Sequence, residues 1–140
     1  MTIALRTEQS SDHAETEHVT REAFWNYFVP GCHEHYLLHI MRVSPSFIPE
    51  LDAVAVHGSR IVGNIVDATS VIRADDGKEY EVLGMGAIAV LPEYQSRGIG
   101  RRMIGYTRNR MREMGFRAIF LYGDPDYSSR CGFVPAETLG

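Results

Sequence analysis

Hydrophobic positions along this chain recur with two different periods, and each change of period marks an element. Ile3 to Arg6 is a short extended run bounded by the polar cluster Thr7 to Asp12. It predicts an opening strand and then a helix start, with Ser11 or Asp12 as the N-cap. From His13 to Phe28 the residues Val19, Ala23, Phe24, Tyr27 and Phe28 recur at three-to-four spacing, an apolar stripe on an otherwise charged helix that Pro30-Gly31 ends. Cys32 to Val43 predicts a second helix that buries Tyr36, Leu37, Ile40 and Met41 and is closed by Ser44-Pro45 and Ile48-Pro49.

The period then falls to two. Leu51 to Val56 and Ile61 to Val66 are apolar, β-branched runs separated by the hairpin chemistry of His57-Gly58-Ser59-Arg60. A polar turn from Ala74 to Lys78 leads to a fourth strand, Glu79 to Val90, in which Gly84 and Gly86 predict a bulge or the close approach of another backbone. Pro92 stops that strand. Beyond it, Ile99, Met103, Ile104, Thr107, Met111 and Met114 share one helical face and Arg101, Arg108 and Arg112 another, with Gly115 as C-cap. Arg117 to Tyr122 then reads as a buried strand, and strand, helix, strand at this spacing implies a parallel pair. The tail from Gly123 gives a turn, at most a short helix, and a last short strand.

Between the fourth strand and the arginine-bearing helix stands Gln95-Ser96-Arg97-Gly98-Ile99-Gly100. Two glycines there let backbone approach a ligand closely, and the helix that follows offers unpaired amides at its positive dipole end, which together outline an anion site. A dinucleotide fingerprint would need glycine where Met103 stands, and a Walker loop would need a Gly-Lys-Ser or Gly-Lys-Thr that the sequence lacks.

Composition narrows the partners. With 140 residues, 44% of them hydrophobic and 23% charged, the chain suits one globular domain over residues 1–140. A net charge of -4 speaks against a nucleic-acid partner, and the arginines from Arg97 to Arg117 alternate with core positions instead of forming a patch. Cys32 and Cys131 have neither metal nor redox spacing and fit a reducing, cytoplasmic setting. The N-terminus lacks the apolar segment of a signal peptide and no run approaches spanning length, so no membrane partner is expected. His33, His35 and His39 crowd beside Cys32 and Glu34, but without a further ligand and an oriented shell they suit a pocket wall better than a metal, and none is expected.

Val90-x-Pro92 followed by Gln95-x-Arg97-Gly98-x-Gly100 resembles the acyl-CoA signature of the GNAT N-acetyltransferases, Arg/Gln-x-x-Gly-x-Gly/Ala. The later run Gly123-Asp-Pro-Asp-Tyr127-Ser-Ser-Arg-Cys131-Gly132-Phe133 is similar to the Gly-Asp-Pro-x-Tyr-Tyr-x-Arg-Phe-Gly-Phe of small predicted members, and the likeness covers nearly the whole chain. It implies an α/β (α+β) fold with a central, mostly antiparallel mixed sheet flanked by helices. The implied reaction is acetyl transfer from acetyl-CoA to a primary amine of a small molecule or peptide, by direct attack in a ternary complex.

The resemblance also implies a site. The amides of Ser96, Arg97, Gly98, Ile99, Gly100 and Arg101 would hold the pyrophosphate with Gln95, and Arg97 and Arg101 would add charge. Exposed backbone of Ile88, Ala89 and Val90 would pair with the pantetheine arm, with the Val90 N–H aimed at the thioester carbonyl. The family's general-acid tyrosine falls on Ser128 here, which leaves Tyr127, one position off, as the candidate acid. The glutamate base of some relatives falls on Gly84, which leaves Glu81 as a base acting through water. Against the family's closing hairpin, a chain that stops at Gly140 is expected to be one strand short. A second subunit completing the sheet as a homodimer, or a truncated chain, would account for that. A non-catalytic acyl-CoA-binding regulatory module is the alternative function.

Overall fold

The structure, a computed structural model, describes residues 2–26, 31, 33–121 and 131–134. Its spine is the antiparallel pair β3 (Arg60–Arg73) and β4 (Glu79–Val90), which pair from Gly63↔Val90 to Arg73↔Glu79 with one slip between. β1 (Ala4–Thr7) and β2 (Ala53–His57) extend the sheet antiparallel on the β3 side, and β5 (Ile119–Phe120) joins β4 in parallel, giving the order β1-β2-β3-β4-β5. This is the mixed, mostly antiparallel sheet that the sequence implied. β3 nevertheless runs seven residues past the expected Val66. The apolar run ends at Asp67, yet β4 matches the backbone as far as Arg73 and the β-branched Thr69, Val71 and Ile72 favour extended chain. β5 is shorter than expected, with two ladder partners, Leu83↔Ile119 and Gly84↔Phe120.

Adjacent residues of β3 show how the layers stack. Thr20 of α1 (His13–Phe24) donates to Asn64 Oδ1 at 3.2 Å, whereas a Cβ built at Gly63 would lie 3.1 Å from Met103 Cε of α3 (Ile99–Glu113). Successive strand residues face opposite ways, so α1 and α3 cover opposite faces. α2 (Glu34–Met41) lies with α1, because Met41 Cε approaches Gly86 beside Val66, two residues on from Asn64. Ile65, Leu83 and Met103 are fully buried in the resulting core. Burying each stabilises the fold by roughly 1.5–3 kcal/mol.

α2 packs differently from the expectation. Leu38 is its buried residue, while Tyr36, Leu37 and Ile40 are 61%, 59% and 44% exposed. The helix is held instead by charge. Arg42, at its C-cap, sends Nη2 to Glu8 Oε1 and Thr16 Oγ1, each at 2.5 Å, and Nη1 to Glu17 Oε1 at 3.3 Å. With the Arg42 and Glu8 side chains 6% and 0% exposed, this is a buried pair tying α2 to α1 and the end of β1. Asp52 beside it is pushed well above the ordinary carboxyl range by burial and by its hydrogen bond to Glu8. α1 stops at Phe24, with Asn26 in the left-handed region, and the expected stripe residues Tyr27 and Phe28 lie outside the described residues. So do the short helix after Gly123 and any strand after Val134. Among the described residues no helix is long and apolar enough to cross a membrane.

Candidate active site

The β3–β4 ladder slips between Ile65↔Ile88 and Asp67↔Met85, so β4 carries one extra residue there. Such a bulge bends the strand and re-aims it. Gly86 is the reason the two backbones can come so close, since a Cβ on it would sit 2.9 Å from Val66 Cγ2 and 3.1 Å from the Val66 carbonyl oxygen. Gly84 is different: its Cβ would meet ordinary contacts at 3.5 and 3.6 Å. Of the two glycines that were out of pattern, Gly86 is the one that sterics require.

Beyond the bulge β4 and β5 part. β5 pairs with β4 no further than Gly84↔Phe120, so among the described residues the β5 side of Met85 to Val90 has no strand partner. Which groups are open follows from one bond. The Leu91 N–H donates to Val62 O at 2.9 Å, toward β3. Alternation then turns Ala89 toward β3 as well, and turns the N–H groups of Ile88 and Val90 to the open side. Ala89, grouped with its neighbours in the sequence, therefore spends its amide and carbonyl in the β3 ladder opposite Asn64, and its side chain is buried.

The glycine loop lies at the far end of this open edge. Gln95 Nε2 donates to Val90 O at 3.0 Å, and Arg97 Nη2 donates to Glu93 O at 3.3 Å. Ser96 at φ 63° and Gly98 at φ 80° are both left-handed, which turns the chain so that its amides converge ahead of α3. Gly98 is the N-cap and no side chain caps the helix, so the amides of Ile99, Gly100 and Arg101 stand at a positive dipole end without a capping acceptor. Ile99 and Gly100 are buried at their side-chain positions, while Gln95, Ser96, Arg97, Gly98 and Arg101 are exposed.

Sequence reasoning missed what orders this loop. Tyr94 has two guanidinium groups near its ring, those of Arg60 and Arg97, each 5.8 Å from the centroid, and its hydroxyl is 2.9 Å from His57 Nδ1. Arg60 also pairs with Glu93 at 2.9 Å. The Glu93 carboxyl is lowered by its own backbone N–H and then by Arg60. An aromatic after Pro-Glu was the only sequence signal.

At the other end of the open edge, on the α2 face, is a cavity of about 280 Å³ between Met41, the bulge and β5. Its walls include Thr69, Ser70, Met85, Phe120 and Leu121. Glu81 is not among them. It is exposed, paired with Val71, and about 10 Å along the strand from Gly84. Tyr127 lies outside the described residues. The three histidines are not gathered into a ligand set: among the described residues His39 pairs with Glu17 at 2.8 Å, and the acid and imidazole atoms that do converge are those of Glu8, His13 and Asp52. Arg42 already supplies a cation to that cluster. Asp67, one residue from the cavity wall, is fully buried with both carboxylate oxygens unpartnered, and burial pushes it up to about 7.

Residues 16–134 match the model of the Acetyltransferase (GNAT) family. The chain belongs to that family. A GNAT family acetyltransferase from Brucella melitensis, solved in complex with acetyl-CoA, superposes with a TM-score of 0.84 at 29% identity, covering 96% of this chain and 84% of that one. The GNAT family N-acetyltransferase YhbS from Escherichia coli, solved in complex with CoA, gives 0.84 at 24% identity over 97% of this chain and 71% of its own, which speaks for the GNAT fold. The uncharacterized N-acetyltransferase YjhQ of Escherichia coli K12 is 32% identical over 88 residues, which are 62% of this chain and 48% of YjhQ. The chain thus aligns with about half the length of that curated relative.

Proposed function

We propose that this GNAT protein is an acetyl-CoA-dependent N-acetyltransferase whose acceptor is a primary amine. One observation carries the proposal: the open-side amides of Ile88 and Val90 lead from the uncapped helix start to the cavity at the bulge. Amides of Ser96 to Arg101 bind the pyrophosphate, Arg97 and Arg101 add positive charge, and Gln95 keeps the loop fixed to β4. The open edge of β4 receives the amide-bearing pantetheine arm as it would a further strand.

The reacting carbon must meet the acceptor where the edge reaches the cavity. Ile88 is two residues nearer the bulge than Val90, about 7 Å along the strand. The Ile88 N–H is therefore the donor to the thioester oxygen, in place of Val90, whose N–H binds the arm. The amine nitrogen attacks the thioester carbonyl carbon and forms a C–N bond, and the negative charge gathered on oxygen is held by that N–H. The C–S bond then breaks, and the proton lost by nitrogen ends on the leaving thiolate, giving the amide and free CoA. No carboxylate or imidazole among the described residues lines the cavity, so the amine enters as its free base. Tyr127 as proton donor to the thiolate stays part of the proposal, and Glu81 would act only through a chain of waters. A homodimer also stays part of the proposal, and a monomeric sedimentation coefficient would reject it.

Thiol release from acetyl-CoA, measured across a panel of amines, tests the reading, with Gly98→Glu as the cofactor-site control. Amine-dependent release that Gly98→Glu abolishes supports it. The position of Glu81 outside the cavity favours a second reading, a non-catalytic acyl-CoA sensor. Acetyl-CoA raising the melting temperature with no thiol release from any amine would select it.

A further inference from the structure

We propose that the acceptor is a primary amine of low basicity attached to an apolar group, the chemistry of an α-amino group beside a hydrophobic side chain. The proposal rests on the acyltransferase reading above and specifies what the cavity between α2 and the bulge accepts.

The walls carry the first argument. Met41 presents a thioether and Phe120, paired with Gly84, a ring, and Ser70 on the Gly84 side of β3 adds a hydroxyl group, whereas Thr69 and Met85 alternate to the other face of the sheet. About 280 Å³ is the space of about nine waters, which suits one aromatic or branched aliphatic group. A polyamine or amino sugar would bring several ammonium groups to a wall that, among the described residues, offers no carboxylate. Holding such charges against carbon without a counter-charge is unfavourable. The apolar surface also continues outward, because Leu37 lies one turn before Met41 on the same face of α2 and is 59% exposed.

Basicity carries the second argument. With no base among the described cavity residues, the reactive free amine must come from its population in solution. At pH 7 an alkylamine as basic as lysine, at about 10.4, is deprotonated in about one molecule in 2,500. An α-amino group, at about 7.7–8.0, is deprotonated in about one in six to eleven. The free-base population is thus a few-hundredfold larger for the α-amine, and the lower nucleophilicity of the weaker base offsets part of that gain. The apolar wall adds to it by penalising the ammonium form. Free amino-acid derivatives and peptide N-termini share this chemistry.

The test compares kcat/KM for thiol release with phenylalanine amide, a peptide beginning with phenylalanine, glycine amide, phenethylamine and spermidine. We expect the two phenylalanine compounds to exceed glycine amide, phenethylamine and spermidine by about tenfold or more. The ratio between amide and peptide then tells the two sources apart. Spermidine matching phenylalanine amide, or glycine amide matching it, overturns the proposal. Should no amine release thiol while acetyl-CoA still binds, the acyltransferase reading fails separately. The cavity's preference is then read by titrating the N-acetylated amines in the presence of CoA: tighter binding of N-acetylphenylalanine amide than of N-acetylspermidine supports it, and equal or weaker binding overturns it. Met41→Glu should reverse the preference toward spermidine. Ser70→Asp, at an exposed position of the wall, makes the same test if Met41→Glu does not fold.

Discussion

Gln95 reaches back across the turn and donates from Nε2 to the Val90 carbonyl at 3.0 Å, so the loop that starts α3 is fastened to the strand that ends before it. The bond is exposed and joins neutral groups, and its contribution to stability is about 0.5–1.5 kcal/mol at most. Its larger effect is on placement, because the loop amides must stand in line with the open amides of β4. Gln95→Ala should leave the melting temperature nearly unchanged and weaken acetyl-CoA binding about fivefold by calorimetry. An unchanged dissociation constant would remove the positioning role.

The two glycines of β4 should respond unequally to the same change. Gly86→Ala places a Cβ 2.9 Å from Val66 Cγ2 and 3.1 Å from a backbone oxygen that cannot step aside. Overpacking of that kind costs about 1–3 kcal/mol. Gly84→Ala, with its nearest atoms at 3.5 Å, should stay within about 0.5 kcal/mol. Chemical denaturation of the two variants measures the contrast, and equal losses would mean that the bulge does not depend on Gly86.

Asp67 makes stability depend on pH with a definite sign. Its carboxyl titrates near 3.8 in the unfolded chain and is pushed up to about 7 in the fold by burial. Between those values the native state holds the extra proton. The stability linked to this residue is therefore greatest below about pH 4, falls as pH rises toward 7, and stays reduced above that. The difference between 3.8 and about 7, at about 1.4 kcal/mol per tenfold change, sets an upper bound of about 4 kcal/mol. Asp67→Asn should thus raise the urea midpoint at pH 8 and change it little at pH 4. A larger gain at pH 4 than at pH 8 would contradict the assignment.

How much of this was legible depended on whether the signal was local. Gly98 announced itself because a left-handed N-cap before an arginine-bearing helix demands glycine, and the β3–β4 turn at Ala74 to Lys78 was written in its own residues. α2 was misread because its apolar positions were assumed to face the core. Leu38 alone is buried, since Arg42 and its carboxylate partners hold the helix from its other end. Nothing in periodicity says that Glu8, thirty-four residues away, will meet Arg42. Asp67 was likewise hidden, because it ends the apolar run of β3 while the backbone ladder carries on past it. The distinction between Ile88, Ala89 and Val90 needed a single hydrogen-bond direction, which composition does not contain.

That direction leads to the sharpest test of the reaction. Proline lacks the N–H and is tolerated in a strand only where that group faces no partner, as at Ile88 and Val90 on the open side of β4. Ile88→Pro should therefore keep the fold while removing the donor nearest the cavity. Loss of one such donor lowers kcat about 10²–10³-fold. Its effect on acetyl-CoA affinity should be small, because the charge on oxygen develops only during attack. Val90→Pro removes a contact made equally before and during reaction, so it should weaken acetyl-CoA binding and leave the saturated rate within a few-fold. Ala89→Pro is the control, since its N–H points into the β3 ladder and its loss should destabilise the sheet. Steady-state kinetics with a saturating amine, paired with calorimetry, separate the three. If Val90→Pro instead shows the larger fall in kcat, the thioester sits two residues nearer the loop, and the donor is the Val90 amide, as the sequence first suggested.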